Sequence, residues 1–173
     1  IIQAKGIEHL IDAVDPNVPL VIIGRPYDAG YLAELRRRSD GRMVRFVADA
    51  TDADVVDAYR RSLVTVLPSV GRPGAANPAN VLGLVLLESM ACGTPVICTE
   101  SGPEAELVED GATGYVVAAG DPVALRSALS RFLADPGLSE RLGHAARERV
   151  QADFTWERTA ERCLKAYTEG GRG

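Results

Sequence analysis

The sequence predicts an α/β fold built on a doubly wound parallel sheet, because short β-rich runs alternate with helical patterns along most of its 173 residues. Most residues of these runs are apolar, as expected for strands that are covered on both faces. After Asp121 the pattern is helical only, which predicts a helical C-terminal portion. A chain of this length most simply forms one domain.

Each element has its own local signal. The runs predicted as strands are 20–24, 43–47, 63–67, 96–98 and 115–117. The segments predicted as helices are 7–14, 31–38, 53–61 and 84–92, with a short helical turn over 104–108. Asp121-Pro122, Asp135-Pro136 and Thr155 each introduce one of the three C-terminal helices. Thr51 and Asp54 have the spacing of a capping box.

One strand is missing from this set. A doubly wound sheet usually begins with a strand that becomes central, whereas this chain begins at or just before a helix. The sequence also opens on Ile1 without a methionine, so we expect it to be a segment of a longer protein. We therefore expect residues 1–169 to form one domain that lacks its first strand, and residues 170–173 to form a flexible tail.

Composition narrows the range of partners. The net charge of −5 and the pI near 5.1 argue against nucleic acid or an anionic membrane surface as a main partner. Cys92, Cys98 and Cys163 lack metal-ligand or C-x-x-C spacing, so we expect reduced thiols and a cytoplasmic protein. No apolar run is long enough to span a bilayer.

A possible metal motif has a simpler interpretation. Asp52-Ala53-Asp54 is a D-x-D sequence, but it lies in the first turn of a predicted helix, where acidic residues suit the helix dipole. We therefore predict no metal site and no cofactor.

The most hydrophobic run of the chain carries a single carboxylate. Between Val81 and Cys98 the residues other than Glu88, Ser89 and Thr94 are apolar, glycine or proline. If Glu88 is buried, a ligand or a protein donor must meet it, because burying an unpaired charge is costly. The alternative is a half-exposed glutamate or one paired with an arginine, and the spacing leaves both interpretations open.

The position of this glutamate favours a ligand. The helix that carries it begins after Gly83 and follows a strand and a long loop. Ligands of open α/β sheets bind outside the carboxyl ends of strands, and a helix N-terminus offers N–H groups to phosphates. One turn further on, the carboxylate of Glu88 is suited to accept hydrogen bonds from a vicinal diol such as a ribose. The pattern thus predicts amides for a diphosphate and a carboxylate for a sugar ring.

Several segments, in order, resemble those of one enzyme family. Residues 80–96 (NVLGLVLLESMACGTPV) are similar to the E-x7-E segment, E-G-F-G-L-x-x-L-E-A-M-A-x-G-x-P-V, of retaining GT-B glycosyltransferases, also described as glycosyl transferases group 1. Other segments that agree are Lys5-Gly6, 21–24, Arg45-Phe46, Pro68-Ser69, 102–108, 110–114 and 154–156. Together they cover nearly the whole chain.

This resemblance implies a nucleotide-sugar binding domain. The chain would be the C-terminal, donor-binding half of a two-domain enzyme, with the acceptor bound by an N-terminal domain that also makes any peripheral membrane contact. The donor substrate would be a nucleotide diphosphate sugar, and the isolated fragment is expected to be inactive. The donor-binding residues implied are Lys5 on the diphosphate; Gly24 and Arg25 beside it; Ala48, Asp49 and Ala50 along the base; Asn80 toward the sugar; Leu82, Gly83 and Leu84 at the phosphates; and Glu88 on the ribose, as a buried acceptor.

One position departs from the family pattern. The first glutamate of E-x7-E is Asn80 here, which brings no charge to the reacting sugar and is also a favoured helix N-cap. No catalytic residue is therefore assigned with certainty. Two alternatives remain open: a nucleotide-sugar binding module without turnover, for which Asn80 is the main argument, and a GT-B-like sugar-nucleotide epimerase, which would lack the Gly93-Thr94-Pro95-Val96 segment.

Overall fold

The computed structural model describes residues 1–70, 83–135 and 137–170, and within them it confirms the predicted α/β fold. The strands are β1 Leu20–Ile23, β2 Val44–Val47, β3 Thr65–Leu67, β4 Val96–Thr99 and β5 Gly114–Val117. The helices are α1 Ile7–Ala13, α2 Ala29–Arg38, α3 Asp52–Arg61, α4 Leu84–Ala91, α5 Pro122–Ala134, α6 Leu138–Asp153 and α7 Trp156–Gly170. Short 3₁₀ helices span Gln3–Lys5 and Pro103–Leu107.

The strands form two parallel sheets rather than one. β1 pairs with β2 so that Leu20 lies opposite Val44, and β3, β4 and β5 form a second sheet in that order. The edges of β1 and β3 line a common cavity of about 1740 Å³. Val21 and Ile23 of β1 are 41% and 36% exposed, although apolar residues of a parallel strand are normally covered.

Helices cover both faces of the three-stranded sheet, as the doubly wound prediction requires. One face packs against α4 and α6, and the other packs against α5. The first of these cores contains Leu67, Leu86, Met90, Val96, Cys98, Val108, Ala146 and Val150. The second contains Ala13, Ile97, Leu125, Ala128, Phe132 and Leu142. Ile11, Ile22, Tyr31 and Leu35 form a separate core beside β1 and β2. Each sheet therefore has its own core.

Helix caps set the boundaries that the sequence predicted. The Asp121 carboxylate accepts hydrogen bonds from the N–H groups of Val123 and Ala124 at the start of α5. Thr51 and Asp54 form a complete capping box at the start of α3. The D-x-D sequence is thus part of a helix N-terminus, with Asp54 accepting from both the N–H and the hydroxyl of Thr51.

The C-terminal helix stands apart from these cores. In α7 the apolar side chains of Trp156, Leu164 and Tyr167 are 86%, 65% and 78% exposed. The helix ends at Gly170, which the sequence assigned to the tail, and residues 171–173 lie outside the described residues. No helix in the described part of the chain is both long and apolar enough to cross a membrane.

Candidate functional site

Several of the predicted site residues follow the carboxyl ends of strands. Gly24 follows β1, residues 48–50 follow β2, and Gly83 is the N-cap of α4, the helix between β3 and β4. In each sheet these loops lie at the carboxyl edge, where ligands of α/β folds bind. Lys5, Asp49, Ala50 and Glu88 line the same cavity, the one between β1 and β3.

Lys5 is fixed by a close approach of its neighbour to the end of β3. Gly6 ends the first 3₁₀ helix in the left-handed conformation (φ 59°), and a Cβ atom there would lie 2.2 Å from the carbonyl oxygen of Pro68. The N–H of Val70 donates to the carbonyl of Ala4 at 3.1 Å. A glycine is therefore required at position 6, and its contact holds the half-buried Lys5 beside the carboxyl end of β3.

The N-terminus of α4 is built in the same way. Gly83 precedes the helix with φ 55°, and the carbonyl of Gly83 accepts from the N–H of Leu86 at 2.7 Å. The N–H groups of the first turn lie at the helix end and carry its partial positive charge. Leu84, whose amide was predicted to meet a phosphate, is 60% exposed. This arrangement suits an anion.

Glu88 is exposed, so the prediction of a buried carboxylate was wrong. α4 turns Leu86, Ser89 and Met90 toward the core, which leaves Glu88 on the outer face. Its carboxylate accepts a hydrogen bond from the hydroxyl of Tyr59 on α3, with 3.1 Å between Oη and Oε2. The carboxylate is therefore accessible to a ligand. Because it stays exposed, folding removes little of its hydration.

The buried carboxylate of this region is Glu104, which the sequence matched to a motif but did not place in the site. It is fully buried in the second 3₁₀ helix, and its Oε1 accepts from the hydroxyl of Ser101 at 3.0 Å. Its Cβ lies 2.9 Å from the place where a Cβ on Gly83 would be. The sequence signal that could have placed Glu104 in the site is a glutamate directly after a proline, at the carboxyl end of β4.

Lys5 and Glu104 compensate each other electrostatically. Burial lowers the pKa of Lys5, and the nearby Glu104 carboxylate acts in the opposite direction by favouring the ammonium form. Burial also raises the pKa of Cys98 to about 12, with Glu104 contributing further, so this thiol stays protonated at neutral pH. The site thus holds a cation, a helix N-terminus and a buried carboxylate in close proximity.

The remaining predicted residues are Gly24, Arg25, Ala48, Asn80 and Leu82. Gly24 and Ala48 line a separate cavity of about 80 Å³ together with Ile1. Arg25 meets the chain terminus through its backbone, since its carbonyl accepts from the amino group of Ile1. Asn80 and Leu82 lie outside the described residues.

The fold and the site define a Rossmann-like α/β domain with a cleft at the carboxyl ends of its strands. Residues 1–149 match the family described as Glycosyl transferases group 1, so the chain belongs to that family. This confirms the resemblance found in the sequence.

Individual relatives agree with this assignment. The chain is 32% identical to D-inositol 3-phosphate glycosyltransferase of Streptomyces bingchenggensis over 99% of this chain and 38% of that relative. It superimposes on sucrose-phosphate synthase from Thermosynechococcus elongatus with a TM-score of 0.78 and 33% identity, over 97% of this chain and 43% of that one. A complex of the Anabaena protein HepE with UDP-glucose is similar in fold, with a TM-score of 0.82 and 21% identity over 98% of this chain and 46% of that one. The chain spans less than half the length of each of these proteins.

The contact between Gly83 and Glu104 predicts the effect of one substitution. Gly83→Ala should lower the free energy of unfolding by about 2 kcal/mol, because the new methyl group meets the Glu104 Cβ and the left-handed backbone disfavours alanine. Gly93→Ala is the matched control, since Gly93 is also left-handed (φ 82°) and a Cβ there meets nothing within 4 Å. Urea denaturation of both variants measures the difference. Equal losses would show that the Glu104 contact contributes nothing.

Proposed function

We propose that this chain is the donor-binding half of a retaining glycosyltransferase, which transfers a sugar from a nucleotide diphosphate sugar to an acceptor. The observation that carries the proposal is that Lys5 lies near Glu104, which contacts Gly83 at the N-terminus of α4, the helix that carries Glu88 one turn further on. A diphosphate needs a cation and N–H donors, and a ribose needs a hydrogen-bond acceptor for its hydroxyls. The complex of HepE with UDP-glucose supports this class of donor.

In this proposal each residue has a stated role. Lys5 and the first amides of α4 stabilise the negative charge that develops on the departing diphosphate. Glu88 accepts hydrogen bonds from the ribose, and Asp49 and Ala50 lie along the base. Retention of configuration rests on the similarity of residues 80–96 to the E-x7-E segment. No other cofactor and no metal is part of the scheme.

The acceptor side belongs to a proposed N-terminal domain, which would also make any contact with a membrane surface in the cytoplasm. This division is supported by the length of the relatives, of which the chain spans less than half. A non-catalytic nucleotide-sugar binding module is the second candidate, because Asn80 replaces the first glutamate of the family pattern. The epimerase alternative is disfavoured by the presence of Gly93-Thr94-Pro95-Val96.

Nucleotide binding tests the assigned roles. Lys5→Met should weaken UDP and inorganic pyrophosphate alike, each by roughly tenfold or more, because it removes a charged donor to phosphate. Glu88→Gln should weaken UDP by roughly ten- to a hundredfold and leave pyrophosphate unchanged, because pyrophosphate has no ribose. Titration calorimetry measures both affinities.

Controls are available within the chain. Lys165→Met changes the other lysine of the sequence, which lies exposed on α7, and should leave both affinities unchanged. Thermal melts of Glu88→Gln should match the wild type, since an exposed glutamine can still accept from Tyr59. Unchanged UDP affinity in both Lys5→Met and Glu88→Gln would refute the proposed site.

We also propose that the 173 residues alone bind a nucleotide diphosphate weakly and transfer no sugar. Half of the catalytic cleft would be contributed by the other domain, so the ordering of the donor is poorly compensated. Incubation with UDP-glucose and a set of sugar acceptors should yield no UDP above the level of a protein-free sample. Turnover by the isolated chain would contradict this division of labour.

The domain is proposed to be completed by a strand between β1 and β3. The support is the cavity between the two sheets, together with the exposed Val21 and Ile23. The backbone of Ile1 contacts Arg25 after β1, while Ala4 accepts from Val70 after β3, so the residues before Ile1 would enter this gap. A strand placed there would join both sheets into one.

An added strand tests this completion. An N-terminal extension of the sequence Val-Ile-Val-Thr-Val, placed directly before Ile1, should slow hydrogen exchange at β1 and β3 and raise the melting temperature, because it pairs two open edges. The matched control carries proline at the second and fourth positions of the extension, which removes the N–H donors. The proposed strand would be contradicted if both extensions slowed exchange at β1 and β3 equally, or if neither extension slowed it.

A further inference from the structure

Tyr59 is the side chain that meets the exposed Glu88. Its hydroxyl donates to Oε2 of Glu88 at 3.1 Å. A glutamate on an outer helix face has several rotamers, so a ligand that uses it must offset the entropy of fixing one of them. A donor that fixes the carboxylate beforehand lowers that cost.

The backbone of Tyr59 is itself fixed to the three-stranded sheet. The buried hydroxyl of Thr94, at the start of the segment leading into β4, donates to the carbonyl of Tyr59 at 2.7 Å. The hydroxyl of Ser89 lies 3.1 Å from the carbonyl oxygen of Thr94 and 2.8 Å from Oγ1 of Thr65 on β3. The buried hydroxyl groups of Ser89 and Thr94 therefore connect β3 to α3 at the position of Tyr59.

The protonation state of Tyr59 suits a permanent donor. Burial raises the pKa of its hydroxyl, and the adjacent Glu88 carboxylate raises it further. The hydroxyl thus stays protonated throughout the neutral range. Since it occupies part of the accepting capacity of Oε2, it leaves Oε1 to accept from a ligand.

We propose that Tyr59 is a positioning residue, which orients the carboxylate of Glu88 toward the two hydroxyl groups of a nucleotide ribose. The proposal rests on the function assigned to Glu88 above. Tyr59 acts through Glu88 and contacts neither the base nor the diphosphate. A purely structural role, as a clamp between α3 and α4, would change stability and leave the preference for ribose unaltered.

Affinities for three ligands distinguish a positioning role of Tyr59 from a purely structural one. Tyr59→Phe keeps the ring and removes the donor, so it should weaken UDP by roughly three- to tenfold. Inorganic pyrophosphate should bind as in the wild type, because it does not use Glu88. The loss should be smaller for 2′-deoxyuridine diphosphate, which lacks one of the two hydroxyl groups. Titration calorimetry provides the three affinities.

Two further variants complete the experiment. In the Glu88→Gln background, Tyr59→Phe should cause no further loss of UDP affinity beyond a factor of two, because the two residues act as one unit. Tyr167→Phe removes an exposed hydroxyl on α7 and serves as the matched control. A thermal melt of each variant verifies folding.

The outcomes distinguish this inference from the proposed function. If Glu88→Gln weakens UDP but Tyr59→Phe binds it within twofold of the wild type, Tyr59 does not position Glu88 and the proposed function stands. Equal loss of UDP and pyrophosphate in Tyr59→Phe would also overturn the inference. If the wild-type chain binds no UDP, or if Glu88→Gln leaves UDP affinity unchanged, the assignment of Glu88 fails and this inference fails with it.

Discussion

The close approach of Gly6 to the end of β3 is the contact on which the site depends. A side chain at this position would overlap the carbonyl of Pro68, so only glycine allows the first 3₁₀ helix to lie against that strand. The same segment touches Arg25 after β1 through Ile1. One short stretch of backbone therefore links the two sheets and delivers Lys5 to the edge where their carboxyl ends meet.

Charge is arranged around that contact in layers. The fully buried Glu104 lies beneath the N-terminus of α4 and compensates the half-buried Lys5, whose ammonium form burial disfavours. Glu88 lies further out, in the solvent-facing layer, and is held by a neutral donor. The buried carboxylate of Glu104 thus balances charge within the protein, and the exposed carboxylate of Glu88 remains available to a ligand. The proposed site for a diphosphate and a ribose requires this separation, because an uncompensated carboxylate beside the phosphates would repel them.

The sequence predicted the elements well because their signals are local. Buried β-rich runs and capping residues such as Thr51, Asp54 and Asp121 determine where strands and helices begin, and the structure places the boundaries within two residues of the predicted ones. The division into two sheets required knowledge of which strand edges are paired, and that depends on tertiary contacts. The one sequence signal of this division was the absence of a first strand from the predicted set.

The burial of the two glutamates could not be read from their surroundings. Glu88 lies in an apolar run, but α4 is apolar on its outer face as well, where Leu84 and Val85 are 60% and 43% exposed. Hydrophobicity around a residue is therefore a poor guide to its burial on such a helix. Glu104 and Glu106 are two residues apart in one short segment, and nothing in their spacing reveals which of them turns inward.

The gap between the two sheets has a consequence for domain exchange. β1 and β3 present separate edges to this gap, and Val21 and Ile23 are in contact with solvent. A chimaera whose junction lies at Ile1 would carry these two unjoined sheets into the fusion. A successful graft must therefore treat the open edges of β1 and β3 as part of the junction.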